Sequence, residues 1–262
     1  MLHTHHFAYG WITIVIAYVM SFVGSLLGLQ CARRARTSDR AGGWLIAAAI
    51  AIGGTGIWVM HFVAMLGFSV DGASIRYNVP LTLASAVIAV VVVWIGLTIV
   101  FRGQRTGRSA WSLLTGGVVT GLGVAAMHYS GMYAMRIDAS ITYSPGIVAL
   151  SVVIAVVAST AALWFTLHVR GTLVSVGAAV IMGIAVTGMH YTGMLAMQAH
   201  AQELAPAPTG ADGVQLLLPL MIGVSVVTMM LLINVGLTDN DGEDLRIAPA
   251  TGGAGGQTGG LR

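Results

Sequence analysis

Three short segments of the chain place a histidine and a methionine at the same spacing, and both side chains can bind metal ions. The segments are VMHFVAMLGF at 59–68, AAMHYSGMYAM at 125–135 and GMHYTGMLAM at 188–197. Each contains Met-His-aromatic and has another methionine four residues after its histidine, which is His61, His128 or His190. Imidazole and thioether together suit Cu(I) well and zinc less well, whereas magnesium, calcium and manganese prefer oxygen donors. The pattern therefore predicts a copper site.

The helical repeat decides which methionines share a face with each histidine. At about 100° per residue, a residue four positions on lies about 40° from the histidine and one turn further along the helix. The predicted thioether ligands are therefore Met65, Met132 and Met194. Met135 and Met197 extend the same stripe by another turn, while Phe68 occupies that place in the first segment.

Other methionines and histidines are weaker candidates. Met127 and Met189 precede their histidines and point about 100° away, so we expect them to pack against neighbouring helices or to surround the ligands. Further imidazoles, which would bind metal only if other parts of the chain order them, come from His3, His5, His6 and His200.

The composition indicates a polytopic helical membrane protein. Hydrophobic residues make up 56% of the chain and charged residues only 8%, too few charges to cover a water-facing surface. Apolar runs of about 20 residues have the length that crosses a bilayer. The single cysteine, Cys31, excludes an internal disulfide and any cysteine-based zinc or iron–sulfur site.

Seven apolar segments are long enough to span the membrane. Their predicted bounds are 8–30, 43–69, 79–101, 111–135, 146–168, 172–197 and 214–237. The three histidines are almost evenly spaced along the chain, as a two-helix repeat requires. We therefore predict an all-α membrane protein of seven transmembrane helices, built from three helix-pair repeats plus one helix. Residues 1–237 form this domain, and the Gly-rich segment 238–262 is predicted to be a disordered cytoplasmic tail.

Arginines predict the orientation of the chain. One set of connections contains Arg33, Arg34, Arg36, Arg40, Arg102, Arg105, Arg108 and Arg170, and the opposite set contains Arg76 and Arg136. The positive-inside rule then places the N-terminus outside and the C-terminus in the cytoplasm. The three histidines lie at a similar depth, toward the outer leaflet. The N-terminus has no basic region or small-residue cleavage site, so we expect no signal peptide.

The three segments resemble the MHYT family of bacterial integral-membrane sensor domains. The family's Met-His-Tyr-Thr string is intact at 189–192, has Ser130 in place of threonine in the second copy, and departs further in the first. The resemblance covers about the first 237 residues and implies a multi-pass protein of the bacterial cytoplasmic (inner) membrane. It also implies a copper ion held by histidine and methionine that responds to a diatomic gas (O2, CO or NO) or to redox state.

The resemblance also bears on partners and activity. Family members often carry a module that makes or degrades a cyclic dinucleotide after the membrane domain, and the present sequence contains none. We therefore expect a sensor without enzymatic activity, which contacts membrane lipids, a small gas or redox ligand and a separate cytoplasmic signalling protein, and no nucleic acid.

Several alternatives use the same residues. A haem held between two histidines of parallel helices is chemically sensible, although three equivalent faces fit one small ion better. A metal transporter is less favoured, because the predicted spans contain no Asp or Glu. Hydrolysis by Ser130 and His128 lacks a buried acid to orient the base. In a purely structural role, neutral imidazoles would hydrogen-bond between helices and the methionines would fill space.

Overall fold

The computed structural model describes residues 4–5, 10–71, 74–201 and 208–247, and their side chains except at 4–5, 201 and 234–247. Seven helices in this part of the chain are long and apolar enough to cross a membrane, which confirms the predicted fold class. They are α1 Trp11–Thr37, α2 Ala41–Leu66, α3 Val79–Arg105, α4 Ser109–Ala134, α5 Pro145–His168, α6 Thr172–Leu195 and α7 Gly213–Ile247.

Helices α1 and α3 continue past the C-terminal bounds of their predicted spans. Because α1 continues to Thr37, Arg33, Arg34 and Arg36 lie on its last turns and not in the following loop, and α3 likewise includes Arg102 and Arg105. Arginine is a good helix former, and cations near a helix C-terminus interact favourably with its dipole.

The last helix also differs from the prediction at its end. It continues past residue 237 to Ile247, into the segment that we predicted to be disordered. Propagation of an existing helix adds one hydrogen bond per ordered residue, and no proline interrupts this stretch. The rest of the predicted tail lies outside the described residues.

Short antiparallel strands close one end of the helix bundle. They are β1 Thr4–His5, β2 Ser69–Val70, β3 Ile75–Tyr77, β4 Met135–Ile137, β5 Ala139–Tyr143, β6 Met197–Ala201 and β7 Ala211–Asp212. β1 pairs with β2, β3 with β4 and β5 with β6, so each pair flanks two consecutive helices. The chain is therefore three strand–helix–helix–strand repeats followed by β7 and α7, with β7 added to β3.

We call this face of the bundle the strand end. The opposite face carries the connections after α1, α3 and α5, and we call it the arginine end. Helices α2, α4 and α6 all run from the arginine end to the strand end. They contain the three histidine segments, so all three segments approach the strand end in the same direction.

Helix α2 is enclosed by the other helices, with 89% of its membrane-crossing window buried. Its middle, Ile50–Val59, is π-helical, and this segment contains Gly53, Gly54 and Gly56. A side chain on Gly53 would lie 2.5 Å from the carbonyl oxygen of Ala89 on α3. The glycines thus allow the close helix contacts that membrane packing uses.

Candidate metal centre

The three predicted histidines meet inside the bundle. His61 on α2, His128 on α4 and His190 on α6 are each at most 1% exposed. Their ring centroids are separated by 4.9, 5.0 and 5.1 Å, with interplanar angles between 75° and 88°. Each ring therefore meets the other two edge to face, and the arrangement is close to threefold symmetric.

The Nδ1 atoms form the centre of this cluster. Nδ1 of His61 lies 2.9 Å from Nδ1 of His190 and 3.2 Å from Nδ1 of His128. One ring nitrogen from each of the three lies within 4.8 Å of the other two. Two nitrogens on one tetrahedral or trigonal ion, each at about 2.0–2.1 Å, lie about 3.3–3.6 Å apart. The donors are thus separated nearly as ligands of a single ion.

The hydrogen-bonding capacity of neutral imidazoles favours an ion at this centre. A neutral imidazole has one N–H and one lone pair, so His61 can satisfy both Nδ1 contacts only by sharing one proton or one lone pair between two neighbours. A cation would instead accept a lone pair from all three Nδ1 atoms. Each ring would then carry its proton on Nε2.

Two glycines leave space for the Nε2 edges of two of the rings. A side chain on Gly131 of α4 would lie 2.5 Å from Nε2 of His61, and one on Gly193 of α6 would collide with Nε2 of His128. Both Nε2 atoms are buried and have no hydrogen-bond partner among the described residues. The Nε2 edges therefore face the neighbouring helix, and the Nδ1 edges face one another.

Both glycines occupy the same place in their segments, three residues after the histidine, and Ala64 has that place in the first segment. The sequence analysis did not identify them as part of the site. Their equal offset in two repeats was the signal that could have found them.

The predicted methionine ligands lie on the same helices as the histidines, four residues further toward the strand end. Met65, Met132 and Met194 are all buried, at 1–2% exposed. Met135 and Met197 are also buried, but α4 ends at Ala134 and α6 at Leu195. They are the first residues of β4 and β6, so the helical stripe does not extend to them.

Met127 and Met189, which precede their histidines, are buried in the core. Met189 also lines an internal cavity. The other imidazole candidates are dispersed: His5 belongs to β1 and pairs with Ser69, and His200 belongs to β6 and pairs with Ser140. His3 and His6 lie outside the described residues. Among the described side chains, the three histidines are the group of His, Cys, Asp and Glu that could hold a metal ion.

Aromatic residues next to the histidines fix the surrounding helices. The hydroxyl of Tyr129 lies 2.6 Å from Oγ of Ser151 and joins α4 to α5. Nε1 of Trp58 donates to Oγ of Ser85 at 3.0 Å and joins α2 to α3. Tyr129 and Trp58 thus each link a histidine-bearing helix to its neighbour, and the sequence analysis identified neither serine.

Seven membrane-crossing helices around a buried histidine triad define a multi-pass membrane protein with a candidate metal centre. The family model described as "Bacterial signalling protein N terminal repeat", MHYT, matches the chain three times, at residues 54–113, 121–180 and 183–242. The chain therefore belongs to the MHYT family of bacterial membrane signalling proteins.

Curated relatives are longer signalling proteins. MucR of Pseudomonas aeruginosa, a bifunctional diguanylate cyclase/cyclic di-GMP phosphodiesterase, is 36% identical over 237 residues, 87% of this chain and 34% of the relative. NbdA of the same organism, a cyclic di-GMP phosphodiesterase, is 36% identical over 65% of this chain and 22% of its own length.

The signalling protein YkoW of Bacillus subtilis is 33% identical over 77% of this chain and 25% of its own length. The chain thus spans about a third or less of the length of these relatives. The comparison with solved structures gave no match.

Proposed function

We propose that this protein is a sensor of the bacterial inner membrane that holds one copper ion between His61, His128 and His190. The observation that carries the proposal is the contact of the three Nδ1 atoms in a buried site. Met65, Met132 and Met194 supply thioethers close to this site along the same helices. The bound ion would supply a redox-active centre that can take a small ligand such as O2, CO or NO.

The donor set supports copper over harder cations. The site offers neutral imidazoles and thioethers, and within the described residues no carboxylate belongs to the buried group. Cu(I) accepts such soft neutral ligands, whereas magnesium, calcium and manganese require oxygen donors. The close contact of the three rings leaves no space for a porphyrin between them and favours a single ion over haem.

The chain's own residues would convert ligand binding into movement. Each histidine lies on a different helix, so any change in the separation of the Nδ1 atoms shifts α2, α4 and α6 against one another. Burial keeps water from competing for the ligand position. A ligand that favours one separation over another would therefore shift the population of helix arrangements.

We infer the signalling output of this helix movement from the names of the relatives. MucR and NbdA are named for making or degrading cyclic di-GMP, and the matched region covers only part of each. We propose that the present membrane domain controls an enzyme of this class on the cytoplasmic side, and that it has no catalytic activity of its own.

Metal analysis of the purified full chain tests the proposal. We expect about one copper per chain and no haem absorption in the visible spectrum. His61→Ala, His128→Ala and His190→Ala should each lose most of the copper, because an incomplete ligand shell loses several kcal/mol of binding free energy. His168→Ala, at the exposed end of α5, is the matched control and should keep it. Losses of about a third per variant would contradict a shared site.

A further inference from the structure

A partly open cavity of about 40 Å³ lies among helices α2 to α6, on one side of the histidine triad. Its lining includes Ile57, Val124 and Val186, which each lie four residues before one of the three histidines. Since α2, α4 and α6 run toward the strand end, these residues form the layer immediately on the arginine-end side of the triad. Met189, bonded directly to His190, also lines the cavity.

The chemistry of the lining selects an apolar occupant. Aliphatic side chains make up most of the wall, and the hydroxyl groups come from Thr120, Ser159 and Thr166. Thr166 donates to the carbonyl oxygen of Leu163 at 2.7 Å, whereas the buried Oγ1 of Thr120 has no partner among the described residues. One such hydroxyl is fewer than the polar partners that a buried water requires. A buried water needs two to four polar partners, and an apolar cavity without them stays dry and binds apolar molecules such as xenon.

The size of the cavity restricts that occupant further. Its volume corresponds to about three water-sized spheres. A molecule of two or three heavy atoms fits, whereas a lipid chain or an aromatic ring does not.

The cavity also approaches the lipid. Ala158 and Ala162 of α5 and Val186 of α6 are half-buried, and all three line it. A small apolar molecule is more soluble in hydrocarbon than in water. The bilayer is therefore the source from which the cavity would fill, through the gap between α5 and α6.

We propose that this cavity is a binding site for a small apolar gas, which it holds one helical turn from the Nδ1 atoms of the triad. Its role as a reservoir for the metal centre rests on the proposed function. Occupation of the cavity by gas does not depend on the proposed function, because the cavity walls contain none of the three histidines. The site thus explains how a dilute gas reaches a centre that is closed to water.

Xenon is the probe that tests the cavity directly. Methyl-labelled full-length protein in lipid nanodiscs is titrated with dissolved xenon, and the methyl shifts are followed by NMR. We expect saturable shifts at Ile57, Val124, Val186 and Met189. The lipid-facing methyls of Val118 and Val119 on α4 should show only a linear, non-saturating response to xenon in the bilayer.

Two filling variants and two matched controls locate the effect. Val124→Phe should remove the saturable shifts at Ile57 and Val186, while Val119→Phe, on the lipid-facing side of the same helix, should keep them. Ala158→Leu fills the gap at α5 and should also remove the saturable shifts, whereas exposed Val157→Leu is its control and should keep them. This second pair keeps the test valid if overpacking unfolds Val124→Phe. Saturable shifts that persist in the folded filling variants, or a linear response at the cavity methyls, would overturn the site.

The same samples separate this inference from the proposed function. Saturable xenon binding in protein that takes up no copper supports the cavity and contradicts the copper sensor. Stoichiometric copper with a linear xenon response supports the sensor and contradicts the cavity.

Discussion

Gly131 and Gly193 leave room for two imidazoles whose Nδ1 atoms face the centre. Gly131→Ala and Gly193→Ala each place a methyl group against an Nε2 atom of a neighbouring helix. The ring must turn or the helices must separate, so we expect the copper content to fall strongly. The melting temperature should also drop, because overpacking costs about 1–3 kcal/mol of stability.

Gly188→Ala is the control for this prediction. Gly188 lies on the same helix as Gly193, but a side chain there meets nothing within 4 Å. A helical Gly→Ala change in open space stabilises by about 0.5–1 kcal/mol. Copper content that is equal in all three variants would show that the glycines do not position the ligands.

The methionines permit a second test, which asks whether their thioethers bind the copper ion. Met132→Leu and Met194→Leu conserve volume and should cost less than about 1.5 kcal/mol of stability. If their thioethers complete the ligand set, copper should dissociate more readily from both variants. Met127→Leu and Met189→Leu, at positions on a different helix face, should retain it. A competition titration with a Cu(I) chelator measures the difference, and equal retention in all four variants would leave the histidines as the only ligands.

The sequence identified the three histidines because their repeat is local and visible in a single chain. It did not predict which nitrogen of each ring faces the centre. That choice depends on a glycine of the next repeat, more than sixty positions away along the chain, since Gly131 lies against His61. Helical phase also assigned Met135 and Met197 to one stripe with the histidines, and it failed where α4 and α6 end.

The C-terminus of α5 is bound by an arginine from another helix. Nη1 and Nη2 of Arg36 on α1 donate to the carbonyl oxygens of Leu167 and Val169, at 2.5 and 2.6 Å. The last carbonyls of a helix have no partner within it, and a cation there also interacts favourably with the helix dipole. Arg36 thus connects the first repeat to the third.

We predict that Arg36→Ala destabilises the bundle by about 1–2 kcal/mol, less than a fully buried charged pair because the guanidinium is partly exposed. Arg36→Lys should recover only part of this, since an ammonium cannot bond both carbonyls as the planar fork does. Thermal unfolding in detergent measures both, with the exposed Arg105→Ala on the last turn of α3 as control. An equal effect of Arg36→Ala and Arg105→Ala would contradict the capping role.

Hydropathy predicted the seven helices because a membrane span is a continuous property of about 20 neighbouring residues. The strands could not be predicted in this way. Each has at most five residues, and its partner follows or precedes a different helix, as in the pairing of Tyr77 with Met135. The π-helical segment of α2 likewise depends on packing against its neighbours.

Across the whole bundle, each of the three repeats brings one histidine to a common centre. The strands that begin and end each repeat pair with each other, so every repeat is closed at the strand end before the next one begins. Backbone bonds from Asn78 to Ala134 and from Ser144 to Ala196, at 2.8 Å each, repeat the same closure in the second and third repeats. A shared centre is the natural result of this near-threefold arrangement.

The distribution of arginines predicts the orientation of this assembly in the membrane. The arginine end contains Arg33, Arg34 and Arg36 of α1, the turns that follow α3 and α5, and the end of α7. Arg76 and Arg136 lie at the strand end. The positive-inside rule places the arginine end in the cytoplasm, and with it the C-terminus that would contact a signalling enzyme. The triad then lies closer to the outer surface, and the strands cover it from that side.

Cysteine labelling measures this orientation in intact cells. Cys31→Ala removes the single native cysteine, which is buried. Single cysteines are then added as Ser140→Cys at the strand end and Thr106→Cys at the arginine end, and both positions are exposed. A membrane-impermeant maleimide should label Ser140→Cys in intact cells and Thr106→Cys only after the membrane is opened. Labelling of Thr106→Cys in intact cells would invert the topology, place the triad near the cytoplasmic surface and remove the route from the last helix to a cytoplasmic partner.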